Sequence, residues 1–284
     1  MKKLDIDDIN NILKLLEDPD EKIYKLIEPQ LLLNVDEYYN HLKEYFENVT
    51  NVFCKRRLKD ILAKSYFNNI EQYFRDIPLN ADSEIDLEYA SFLLASFEYP
   101  DLQKNEYSSI LDTMADNIRN KIKDISDPIT LIEKINHHVF KEEGFGANKI
   151  DYTDPNNTYI NMVIERRTGI PITLSVIYLF ITKRLNLQFY GVGMPGHFIL
   201  KYQKDNFEVF VDPFYAGQIL TKQDCINFLI FSGYGFIEQY LDVSSNKEIF
   251  KRMIRNLLLI YKEENDDIKY NKLRDLLDIV DITY

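Results

Sequence analysis

Apolar residues change period once along this 284-residue chain. Up to about Leu185 they recur at helical spacing, and then three short runs, Phe189–Val192, 198–202 and 209–211, alternate like strands. The polar stretch 203–206 between the last two is short enough to be a hairpin turn, so antiparallel pairing follows. Such a chain folds as α+β: mostly helical, with one small antiparallel sheet packed on the strongly apolar helix that precedes it, from Pro171 to about Leu185.

The helical stretches carry their own punctuation. Residues 6–17 place Ile9, Ile12, Leu13 and Leu16 on one face, and Asp18-Pro19 reads as a cap with proline at the first position of a helix bearing Ile23, Leu26 and Ile27. Further helices are expected near 35–48, 54–76, 85–98 and 105–123, so about the first 125 residues are all helical. Asp127-Pro128 opens another helix, closed near Glu143 by the Gly144-Phe145-Gly146 turn. After a polar loop over 150–158, a helix runs from about Tyr159 to Arg167 and stops at Thr168-Gly169. Beyond the sheet, Thr221 with Asp224 forms a capping box, and 247–282 reads as a helical pair. Three regions are expected: 1–125, 126–235 and 236–284.

Composition excludes several functions. A formal charge of −12 repels phosphate backbones, and no basic stripe offsets it, so nucleic acid is not an expected partner. No apolar run reaches membrane-spanning length, and the opening residues lack the apolar core of a secretory signal, which places the chain in the cytoplasm without a membrane partner. The two cysteines, Cys54 and Cys225, show no metal or redox spacing and read as free thiols. His137 and His138 are adjacent, so on a helix they diverge and cannot grip zinc as an i, i+4 pair does. No cofactor or metal is expected.

The order of parts is chemically suggestive: a glycine-led helix opening at Pro171, a strand bearing His197, then a strand ending in Asp212-Pro213. In a cysteine acyl-transfer site the thiol sits at a helix N-terminus, an imidazole on a neighbouring strand takes its proton, and a carboxylate on the next strand orients the ring. A lone histidine is more often a core residue bonded to a carbonyl, and Asp-Pro alone is often only a turn. Together they mark a candidate His197–Asp212 pair. Thr173 and Ser175 are hydroxyls in the same helix start, although first-turn hydroxyls commonly bond their own backbone. Cys225 is a further thiol, outside this order.

The chain resembles the SirB-type branch of the transglutaminase-like superfamily. The resemblance rests on Gly144-Phe145 with Asn148; Asp151-Tyr152 with Asp154-Pro155 and Asn157; the run from Glu165 through Arg166, Arg167, Gly169 and Pro171 to Ser175; Arg184-Leu185; Gly191 to Phe198; and Asp212-Pro213-Phe214. It covers roughly residues 80–270, with 252–261 similar to the start of a tetratricopeptide-type helical pair. It implies a papain-type core. Catalytic members of the superfamily carry cysteine two residues after the helix-opening glycine, where this chain has Pro171. The resemblance therefore implies a non-catalytic or regulatory module with a cleft lined by His197, Asp212, Asn157 and residues 169–175, with Arg167, Thr173 and Ser175 as further binding residues and a peptide or protein as ligand. Arg166 and Arg167 are expected to hold the 151–154 loop or helix carbonyls. The alternatives are an acyl transferase or amide hydrolase with a substitute nucleophile beside His197 and Asp212, or a helical scaffold in which the core is a spacer.

Overall fold

The computed structural model describes residues 4–77 and 85–281, and the chain forms two compact units, Met1–Tyr73 and Phe74–Tyr284. In the first unit, α1 (Ile6–Leu15), α2 (Glu21–Asn48) and α3 (Val52–Asp76, which continues past the boundary) bury one apolar stripe each. Ile9, Leu13 and Leu16 meet Leu31, Val35 and Leu42 of α2 and Leu58 and Ile61 of α3. Asp18 does not cap α2 as its neighbouring proline suggests. Its carboxylate accepts the Asp20 N–H at 2.9 Å, and Asp20 in turn accepts Lys22 N–H at 2.8 Å, so the helix starts two residues later. The two stretches expected around Ile23 and 35–48 are one helix, which loses helical geometry only at Tyr38 (φ −110°, ψ 15°).

The second unit is built around α8. In chain order it contains α4 (Leu87–Ser96), α5 (Lys104–Ile122), α6 (Pro128–Asn136), β1 (Gly146–Ala147), α7 (Ile160–Arg166), β2 (Thr168–Gly169) and α8 (Pro171–Arg184). Then come β3 (Phe189–Val192), β4 (Ile199–Lys204), β5 (Phe207–Asp212), β6 (Gln218–Leu220), α9 (Lys222–Phe231), α10 (Asn246–Glu263) and α11 (Asp267–Asp281). Asp127 accepts the Thr130 N–H at 2.8 Å, and the helix it opens passes into a π-helical turn over His137–Glu142 before Gly144 turns the chain at φ +77°. That bulge is absent from the sequence pattern because it keeps the same face buried.

The sheet order is β3-β4-β5-β6, all antiparallel, with Leu200 opposite Val211 and a two-residue turn at Asp205-Asn206. β4 and β5 are each longer than their apolar runs, because hairpin pairing extends into the polar residues beside the turn. A parallel pair, β1 with β2, and strand β6 join what the sequence shows only as loops. Helix α8 is buried on nearly every side, from Pro171 to Thr182, packed on β3, β4, α5, α7 and α10. This explains its run of Ile, Leu, Val and Phe without an amphipathic stripe. Among the described residues no helix is long and apolar enough to cross a membrane.

Candidate functional site

The hairpin brings the two ends of the predicted pair together. β4 begins where β5 finishes, so His197, two residues before β4, and Asp212, the last residue of β5, emerge at the same end of the sheet. His197 Nε2 lies 2.6 Å from Asp212 Oδ2. The second carboxylate oxygen caps the following 3-10 turn, accepting the N–H of Phe214 at 3.0 Å and of Tyr215 at 3.3 Å. Asp212 is thus held by three donors, which fixes both its own rotamer and the plane of the imidazole.

The approach to His197 is fixed as tightly. The bend Met194-Pro195-Gly196 needs φ +72° at Gly196, and His197 N–H closes it on the Met194 carbonyl at 3.2 Å. Arg252 of α10 then donates to both carbonyls of this bend, Met194 O at 3.0 Å and His197 O at 2.9 Å. Nothing in the local sequence around His197 announces Arg252, which lies 55 residues further on.

The pair is enclosed. His197 retains 7% of its exposure and Asp212 4%. The ring centroid of Phe228 lies 5.3 Å from that of His197, with Phe214 at 6.0 Å and Tyr215 at 6.1 Å. These three aromatic residues come from α9 and the turn after Asp212, and they surround the imidazole and leave it only 7% exposed. Among the described residues none bonds His197 Nδ1, so the nitrogen opposite the carboxylate is left without a protein partner.

The other expected site residues are bound into the same region of the fold. Asn157 donates from Nδ2 to the Asp151 carbonyl at 2.6 Å and accepts from Asn148 at 3.0 Å. Thr173 donates to the Asn157 carbonyl at 2.7 Å and accepts the Ile170 N–H at 3.2 Å. Ser175 is fully buried, and its Oγ finds no partner among the described residues. Asn157 and Thr173 therefore hold the polar loop onto the start of α8, and with Ser175 they face packed protein, not an open cleft. A Cβ on Gly169 would sit 2.9 Å from both Thr173 Oγ1 and Val163 Cγ1, which is why only glycine fits ahead of Pro171. Pro171 itself stands in the first turn of α8.

Arg166 pairs with Asp154 at 2.7 Å, as its position beside that loop suggests. Arg167 takes a left-handed conformation (φ +56°) that ends α7, donates to the Ile164 carbonyl, pairs with Glu143 at 3.1 Å and lies over the Phe145 ring. Cys225 is fully buried behind β5, and burial pushes its thiol up to about 12. His138 is buried, with Nδ1 2.7 Å from Glu142, while His137 stays exposed.

The chain belongs to the transglutaminase-like superfamily, whose family model matches residues 105–255, more than half of its length. Among its relatives, the UPF0162 protein of Xylella fastidiosa (strain 9a5c) is 30% identical over 191 residues, which is 65% of this chain and 68% of that one. F-box only protein 21 of Mus musculus is 29% identical over 214 residues, covering 72% of this chain and 32% of the mouse protein. Its Homo sapiens counterpart is 33% identical over 157 residues, 52% of this chain and 24% of the human one. No solved structure matches.

Proposed function

We propose that this protein is a non-catalytic member of the superfamily, of the SirB-type branch, that binds a peptide or protein and keeps its His197–Asp212 pair as a structural element. One observation carries the reading: Pro171 occupies the first turn of α8, where the resemblance puts the nucleophilic thiol, and three aromatic rings cover the imidazole that would serve it. Proline suits that turn because its absent N–H would have had no helical partner, so the thiol is lost without loss of the helix. The substitute nucleophiles support the same reading. Thr173 Oγ1 is engaged by three backbone groups, Ser175 is buried, and the Cys225 thiol is held protonated by burial. The mouse and human relatives carry the matched region as a quarter to a third of a longer chain, which supports its use as a module alongside other segments.

A second reading, acyl transfer or amide hydrolysis through a substitute nucleophile, is favoured by the carboxylate on Nε2 and the unbonded Nδ1 of His197, the arrangement a general base needs. Activity-directed labelling separates the two. A fluorophosphonate for Ser and Thr and an iodoacetamide for Cys, applied to the folded protein and to His197→Ala, are expected to give no His197-dependent adduct. A single site that labels only when His197 is present refutes the non-catalytic reading.

A further inference from the structure

The aromatic cover over the pair continues outward into a surface with its own chemistry. Tyr152 packs edge-on against Phe214 with ring centroids 6.2 Å apart, and Phe214 meets Tyr215 at 5.5 Å. Lys149 Nζ lies 5.0 Å from the Tyr215 centroid and 5.9 Å from that of Phe214. On the other flank, a Cβ on Gly196 would meet the Tyr234 hydroxyl at 2.8 Å, so Tyr234 lies directly over the bend that carries His197. Tyr152 and Tyr234 are both within electrostatic reach of Arg252. Tyr152, Tyr215 and Tyr234 each leave about half their surface to solvent, at 49%, 51% and 49%.

Two cations lie in this region, Lys149 over Tyr215 and Phe214 and Arg252 over the Phe198 ring at 5.5 Å, and neither has a carboxylate partner among the described residues. Lys149 makes no ion pair, and Arg252 spends two of its five N–H groups on backbone carbonyls. Burial pulls the Arg252 guanidinium below its ordinary value, as expected of a half-buried cation without a carboxylate. The acidic side chains nearby do not neutralise them. Asp154 is taken by Arg166, Asp212 by His197, and Asp151 forms no ion pair with either cation. In a chain of net charge −12, two cations without carboxylate partners among the described residues, one of them over Phe214 and Tyr215, are a local exception to the overall field. Arginine and aromatic side chains are also the groups that carry most binding energy at protein interfaces.

We propose that this surface binds an acidic peptide segment, its carboxylates on Lys149 and Arg252 and its apolar side chains against Phe214, Tyr215 and Tyr152. The inference rests on the reading of the protein as a peptide-binding module and names the class of peptide. The field of the whole chain disfavours such a ligand, so the attraction must come from the local cations, and salt that screens this short-range attraction weakens the interaction.

The test uses the full chain and three fluorescein-labelled capped peptides of alternating residues: glutamate with leucine, glutamine with leucine, and lysine with leucine. Fluorescence polarisation is expected to show binding of the glutamate peptide at least about tenfold tighter than the glutamine one, weakening as salt rises, with none of the lysine peptide. Lys149→Glu and, separately, Tyr215→Ala are expected to weaken the glutamate peptide by about tenfold or more, while Lys134→Glu, the same charge change on exposed α6, has less than about a twofold effect. Unchanged circular dichroism shows that each variant folds. Equal affinity for the glutamate and glutamine peptides, equal effects of the Lys149 and Lys134 variants, or no binding of any peptide up to about 1 mM overturns the inference. Covalent labelling of the same samples judges the non-catalytic reading separately, so the two can fail independently.

Discussion

Removing the Asp212 carboxylate tests whether the buried pair now serves the fold. In Asp212→Ala three hydrogen bonds disappear together: the one to His197 Nε2 at 2.6 Å and the two from the backbone N–H groups of Phe214 and Tyr215. Both His197 and Asp212 are nearly inaccessible, so water cannot replace the lost acceptor cheaply. Breaking a buried pair by deleting one partner costs about 3–5 kcal/mol, and three orphaned donors at about 1–3 kcal/mol each are consistent with a loss in that range. Asp212→Asn keeps an oxygen for the Phe214 and Tyr215 N–H groups but turns an NH2 donor toward His197 Nε2, so that one bond is lost or the imidazole must change tautomer, and about 1–2 kcal/mol is expected. Urea unfolding followed by far-ultraviolet circular dichroism reads the difference. At a slope of about 2 kcal/mol/M, the alanine variant shifts the midpoint of the second unit down by about 1.5–2.5 M, and the asparagine variant by less than about 1 M. An alanine variant that costs under about 1 kcal/mol, the value of a surface residue, refutes the argument that this pair is retained for stability.

Two further outcomes follow from single positions. Gly217 (φ +77°) has its N–H on the Asp212 carbonyl, and a Cβ there would press into the Asn136 side chain, whose amide donates to Gly217 O at 2.6 Å and accepts from Tyr178 Oη at 3.0 Å. Gly217→Ala should therefore destabilise by about 2–4 kcal/mol in the same urea assay, whereas Gly233→Ala, at φ +81° with open space around it, should cost about 1 kcal/mol; equal losses would show that backbone strain alone operates. The Cys225 thiol, raised from 9.0 to about 12 by burial, stays protonated at pH 8, and its alkylation in the folded protein should be at least about a hundredfold slower than in urea. The linkage runs the same way: an unfolded thiol loses its proton near 9 while the folded one holds it to about 12, so this group favours unfolding as pH rises through that window, and fast alkylation at pH 8 would contradict the burial seen here.

What the sequence determined by itself is what acts over a few residues. Asp127 before Pro128 and Thr221 with Asp224 are caps because a side-chain oxygen reaches an N–H two or three residues away, and both caps form. Strand Phe189–Val192 is legible from its β-branched and aromatic residues, and the pairing of His197 with Asp212 is legible because one short hairpin joins the two strands that carry them. The same local logic failed at Asp18, where two nearby aspartates compete for one helix start and a single N–H decides between them. Strand β6, three residues long, has too little apolar pattern to stand out from a loop.

Only the tertiary structure decided whether the pair is open or enclosed. Phe228 comes from α9, Phe214 and Tyr215 from the turn after β5, and Arg252 from α10, and each reaches His197 because separate elements pack on the same end of the sheet. The likeness of the sequence to its family named the residues that meet and left open how far they are enclosed, because burial is a property of all the chain surrounding a residue and not of the residue's neighbours in sequence. Residue type and spacing set which groups meet; the packing of distant elements set how much water they keep.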